Sequence, residues 1–97
     1  MKPFRWNHEK NELLKTERGI SFEAVVLAIE TSGLLDVLQH PNAGKYPNQQ
    51  VFVVDLNGYA CLVPFVEEKE YFFLKTIIPS RKATQEYLKQ GGADEEA

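Results

Sequence analysis

Asn57-Gly58 stands between two apolar runs, Val51-Phe52-Val53-Val54-Asp55-Leu56 and Tyr59-Ala60-Cys61-Leu62-Val63-Pro64-Phe65-Val66. A two-residue reversal of type I′ needs positive φ at both positions, and Asn-Gly tolerates that well. β-Branched and aromatic residues fill both flanks, so the stretch predicts an antiparallel hairpin. Pro64 has no N–H to give to a ladder, which predicts an edge or a bulge at that point.

Other elements follow from the segments around the hairpin. Glu67-Glu68-Lys69-Glu70 reads as a charged turn into a strand from Tyr71 to Ile78, which Pro79 should end. Leu34-Leu35-Asp36-Val37-Leu38-Gln39 reads as a further strand. The segment from His40 to Gln50 reads as a loop, because Pro41, Asn42, Gly44, Pro47 and Asn48 are all turn formers. Phe4-Arg5-Trp6 fits either a short strand or an extended lead-in. Asn7 is a plausible cap for a mostly polar helix running to about Arg18, with Gly19 as its left-handed stop. Ser21 caps a second helix, in which Phe22, Val25, Val26 and Ile29 share one apolar stripe. Gly33 is expected to end it. Ser80 caps a last helix beginning at Arg81 and running to about Lys89. The expected class is α+β: two N-terminal helices, a four-stranded antiparallel sheet and a C-terminal helix. Residues 1–90 are expected to form one domain, and 91–97 an acidic disordered tail.

Charge narrows the range of partners. The chain carries −3 in all, which counts against a general nucleic-acid binder. The tail alone holds Asp94, Glu95 and Glu96, so the first 90 residues balance 11 basic against 11 acidic groups. Within them, Lys75, Arg81, Lys82 and Lys89 face only Glu86 over the last strand and helix. No run of about 18 apolar residues is present, so no membrane span is expected. Cys61 is the single cysteine, which excludes an internal disulfide and a cysteine-based zinc cluster. It reads as a small core residue. A cytoplasmic location is the expectation.

The stretch Ile77-Ile78-Pro79-Ser80-Arg81-Lys82-Ala83-Thr84 is where chemistry is expected. Cations in the first turn of a helix oppose its dipole. Unpaired backbone N–H groups beside two cationic side chains suit an anion such as an RNA phosphate. The plainer alternative is that both side chains are solvated or paired with acidic neighbours. No phosphate-binding glycine loop and no Gly-x-Ser-x-Gly elbow occurs. His8 and His40 have no Cys or His nearby in sequence, so no metal and no cofactor is expected. His40, beside Pro41, is a candidate proton-transfer group, although a surface loop histidine is the commoner case. Metal-free RNA cleavage needs the 2′-OH as internal nucleophile and stabilisation of charge developing on phosphorus. The candidates are Arg81, Lys75 and His40 for catalysis, and Lys82, Ser80 and Thr84 for phosphate binding.

Two segments together carry a resemblance. Phe4-Arg5-Trp6-Asn7, Lys10, Asn11 and Arg18-Gly19-Ile20-Ser21-Phe22-Glu23-Ala24 are similar to the opening of BrnT toxins. Ile77-Ile78-Pro79-Ser80-Arg81-Lys82-Ala83-Thr84 is similar to the Ile-Ile-Ser-Ala-Arg-Lys-Ala-Thr ending of that family. The order of elements agrees to about Leu88. The resemblance implies a RelE-like fold and a bacterial type II toxin that cleaves RNA. It also implies neutralisation by a small antitoxin with a ribbon-helix-helix DNA-binding domain. Arg81 and Lys82 match the terminal basic motif, and Thr84 its threonine. Thr76 stands where the family often has Arg, and Asp55 where it often has basic residues. A second reading is therefore open: a non-catalytic module of the same fold, binding a protein through its apolar sheet by helix-in-groove or strand addition. A homo-oligomer is open as well.

Overall fold

The computed structural model describes residues 1–42 and 44–88, so the expectations for Lys89 and for the tail at 91–97 lie outside the described residues. The hairpin forms as its turn chemistry dictates. β3 (Gln49–Leu56) and β4 (Tyr59–Glu67) pair in register from Gln49–Val66 to Leu56–Tyr59. Asn57 has φ 55° and Gly58 φ 86°, the positive values a type I′ turn requires. Asp55 Oδ1 accepts from the Gly58 N–H at 2.7 Å and holds the turn closed.

The helices start on the expected residues, and the first also stops on the expected one, whereas the second ends short of Gly33. Before α1 (His8–Arg18), the Asn7 side chain accepts from the Lys10 N–H, and Gly19 at φ 68° ends the helix. Before α2 (Phe22–Glu30), Ser21 accepts from the Ala24 N–H. Thr31 is the C-cap, two residues ahead of Gly33. The Gly33 N–H then donates to the Ala28 carbonyl at 2.7 Å, and its own carbonyl accepts from Asp55 N–H at 2.8 Å. Thus Gly33 joins the end of α2 to the sheet at close range.

Asn11 locks α1 to α2. Only 1% exposed, its side chain accepts from the Phe22 N–H and donates to Glu23 Oε1, both at 2.8 Å. That bond is the leading cause holding the Glu23 carboxyl below its ordinary pKa.

The four-stranded antiparallel sheet is corrected to a mixed sheet with six strand segments. Its order is β1 (Phe4–Trp6), β5 (Phe72–Leu74), β4, β3, β2 (Leu34–Gln39), with β6 (Ile78–Pro79) also on β4. β1 lies parallel to β5, so Phe4-Arg5-Trp6 is a strand. The expected strand from Tyr71 to Ile78 is split, and Pro79 is its last strand residue. Pro64 supplies the reason. It lies in β4, flanked on both sides, rather than at an edge. Its carbonyl accepts from Lys75 N–H, so its missing N–H faces the same neighbour, and there β5 ends. The pairing resumes at β6 shifted by one residue. The ladder gap falls on the partner strand.

Both faces of the sheet are apolar, and they are covered unequally. α1 and α2 cover one face, where Leu14, Phe22, Val25 and Ile29 meet Phe52, Val54, Val63, Phe65 and Leu74. Trp6 stacks on Phe22 at 5.6 Å, and Phe52 on Phe65 at 3.8 Å. Across the other face lies α3 (Arg81–Tyr87), a seven-residue helix that seats Ala83 against Val53 and Ala60. The chain is therefore α+β, with three helices and an open mixed sheet among the described residues. No helix among them is long and apolar enough to cross a membrane.

Gly33→Ala should destabilise the protein by about 1–3 kcal/mol in urea unfolding. The new Cβ would sit 2.9 Å from Ala28 Cβ and 3.1 Å from the Asp55 carbonyl oxygen. Asn11→Ala should cost a similar amount, about 1–3 kcal/mol, by leaving the buried Phe22 N–H without an acceptor.

Candidate functional site

The junction between β6 and α3 is held by side-chain hydroxyls. Ser80 Oγ accepts from the Ala83 N–H at 3.0 Å and caps the helix. Ser80 N–H donates to the Ala60 carbonyl at 3.0 Å, which anchors the same residue to β4. Thr84 completes the lock. Its hydroxyl donates to the Ser80 carbonyl and accepts from the Ala60 N–H, both at 2.8 Å. With 1% exposure, Thr84 faces the core, so its hydroxyl does not reach an external phosphate. The threonine of the terminal motif here ties α3 to the sheet.

Arg81 and Lys82 project from this fixed junction and are both exposed. Neither is within salt-bridge distance of a carboxylate among the described residues. The junction thus brings Ser80, Arg81 and Lys82 into one corner, with Thr84 beneath. Lys75 does not join it. Its N–H bonds to Pro64, four residues along β4 from Ala60, so it stands roughly 13 Å from Ser80. His40 is farther still. Its N–H donates to the Gln49 carbonyl, at the opposite end of the sheet and beyond β3. Strand spacing and rise put it roughly 25 Å from the corner. Its Nδ1 accepts from the Asn42 N–H at 2.9 Å, and its ring packs on Tyr46 at 4.6 Å. The placement of His40 and Arg81 in one catalytic centre is therefore corrected by sheet topology.

Burial pushes the Cys61 thiol above its ordinary pKa, helped by nearby Asp55, which suits a core residue. Among the described residues, no three His, Cys, Asp or Glu side chains come close enough to hold a metal ion.

Two features depend on tertiary placement, one with a weak signal in the sequence and one that bears on the apolar sheet expected to meet a partner. The first is an ion-supported tether: the Tyr87 hydroxyl donates to Asp36 Oδ2 at 2.6 Å and pins the end of α3 to β2. The bond holds the Asp36 carboxyl below its ordinary pKa and pushes the Tyr87 phenol up to about 12. A lone carboxylate within Leu34–Gln39 was the available signal. The second feature is what α3 leaves bare. The pairing register aligns side chains across strands in rows. One row on the α3 face runs Leu38, Val51, Pro64 and then Lys75. The next runs Gln49, Val66, Phe73 and then Arg5. Their apolar members are half-buried, apart from Leu38 at 39% exposure. A hollow of about 200 Å³ opens between α3 and this surface, with Leu38 and Leu62 on its floor and Lys82 and Glu86 on its wall.

Comparison of the chain with protein-family models, with curated proteins and with solved structures finds a match in none of the three.

Thr84→Val, which keeps the shape and removes both hydrogen bonds, should cost about 1–3 kcal/mol in urea unfolding, with Thr84→Ser nearer to wild type. The Tyr87 tether should give a basic-side instability. The unfolded phenol loses its proton near pH 10, while the folded one keeps it to about 12. The unfolded state then binds fewer protons, so the tether's contribution is full below about pH 10 and disappears as the pH rises through about 12. Absorbance titration at the phenolate band should show a late-ionising tyrosine that Tyr87→Phe removes.

Proposed function

We propose that the chain acts on RNA as the toxin of a type II toxin–antitoxin pair, with a RelE-like fold, in the cytoplasm. The observation that supports this reading is the Arg81–Lys82 corner. Two exposed cations, with no carboxylate partner among the described residues, stand on a backbone fixed by Ser80 and Thr84. They lie within the stretch that resembles the terminal BrnT motif. A rigid cationic corner holds a phosphate without first having to order its own side-chain anchor points. Arg81 offers a planar fork of donors to the phosphate oxygens, and Lys82 adds a point charge.

In this reading the protein is a metal-independent endoribonuclease. The 2′-oxygen of the substrate attacks the adjacent phosphorus as its proton passes to water, a 2′,3′-cyclic phosphate forms, and the 5′-oxygen leaves and takes a proton from water. Arg81 stabilises the negative charge that builds on the phosphoryl oxygens during that displacement. His40 takes no part, because the sheet separates it from the corner. A small antitoxin with a ribbon-helix-helix domain neutralises the protein.

A second reading, a non-catalytic protein-binding module, is favoured by the two apolar rows that α3 leaves uncovered. A partner's apolar side would complete the burial of these half-buried residues.

Induced expression should arrest growth, and Arg81→Ala should relieve the arrest. With a chelator present, purified protein should cleave RNA, with Arg81→Ala slower by on the order of 100-fold. His40→Ala should cleave like wild type. Binding to a non-cleavable RNA should weaken in Lys82→Ala, with a salt dependence shallower by about one charge. Intact RNA together with harmless wild-type expression would overturn the nuclease reading.

A further inference from the structure

The uncovered surface has a polarity as well as an area. One row is apolar over β2, β3 and β4 and ends at Lys75; the other begins at Gln49, is apolar at Val66 on β4 and Phe73 on β5, and ends at Arg5 on β1. Lys82 looks over the same surface from the wall of α3. None of these three is paired with a carboxylate among the described residues, and Glu86 is the acidic residue on that wall. A partner must therefore be apolar on one side and negative along its flank.

Its shape follows from α3. The Tyr87–Asp36 bond and the Ser80–Ala60 bond show that α3 runs across the strands, from β4 to β2. A second helix laid beside α3 at the usual interaxial spacing of 8–10 Å would sit over the Leu38–Val51–Pro64 row. From β2 to β1 the sheet is roughly 19 Å wide, the length of about 13 helical residues. We infer that this surface takes one amphipathic helix of a partner chain, with an acidic flank over Lys75, Arg5 and Lys82. The inference rests on the binding-module reading and names its partner.

Other occupants fit less well. A second copy of this chain would bring the cationic ends and the Lys82 wall into a shared interface with too few acids. Single-stranded RNA binds sheet surfaces by stacking bases on aromatic rings, and these rows offer Phe73 among aliphatic residues.

The test uses two synthetic helical peptides of about 13 residues. Both carry Leu at i, i+3, i+4 and i+7; one has Glu along the flanks, the other Lys. Fluorescence anisotropy with the full chain should show the acidic peptide binding at least 10-fold more tightly. The double variant Arg5→Glu with Lys75→Glu should invert that preference. Val51→Asp should abolish binding of both, with circular dichroism confirming the fold. Equal affinity for the two peptides, lost in Val51→Asp, would overturn the acidic partner and leave the protein-binding reading standing. Binding of neither peptide would overturn both. Self-association or binding of a single-stranded RNA that the double variant abolishes, in place of peptide selectivity, would also overturn the inference.

Discussion

Everything in this protein is hung on the β3–β4 ladder. It is the longest run of paired backbone, and each of its strands shows apolar side chains to both faces. A strand with one solvated face would alternate apolar with polar. Val53 and Val54, or Leu62 and Val63, cannot both be covered unless something lies on each side. α2 answers on one face and α3 on the other. The ladder thereby sets the layer order, and a one-residue slip would exchange the contents of the two cores.

The unequal size of the two covers follows from local chemistry. α1 and α2 are joined through Asn11 and seat several large apolar residues. α3 offers Ala83, Tyr87 and Leu88, and it stays in place through polar ties at each end. Ser80 and Thr84 bind it to Ala60, and Tyr87 binds it to Asp36. A short helix with so little apolar area is poorly held by burial alone. The same bonds that retain α3 also fix the backbone beneath Arg81 and Lys82. Stability and the proposed phosphate grip therefore share their supports.

The hairpin, the caps at Asn7, Ser21 and Ser80, and the stop at Gly19 were legible because each depends on a few adjacent residues. The parallel placement of β1 on β5 was not, since nothing near Phe4 reports a partner nearly seventy residues away. Pro64 was half legible. Its lost donor was evident, but the neighbour that would absorb the gap depended on topology. For the candidate site, the neighbourhood of Ser80, Arg81 and Lys82 could be read from consecutive residues. The distance to His40 could not, because it depends on strand order. Thr84 shows the limit of a motif: its place beside Arg81 and Lys82 suggested a phosphate ligand, while its burial gives it work inside the fold.

The sheet edges decide how a partner can approach. β1 is three residues long and follows Pro3, with Arg5 at its centre. β2 is longer, and it carries Asp36 beside an irregularity in its pairing. Asp36 Oδ1 accepts from the Val37 N–H, so a carboxylate already occupies a backbone donor of that strand. Short edges, inward or edge charges and bulges are the devices by which sheets resist added strands. Both edges use them, which argues against strand addition. The face has no such protection, and its half-buried apolar rows lie beside α3, which runs alongside them and not over them. Association through side chains on that face, rather than through backbone at an edge, is the route this architecture leaves.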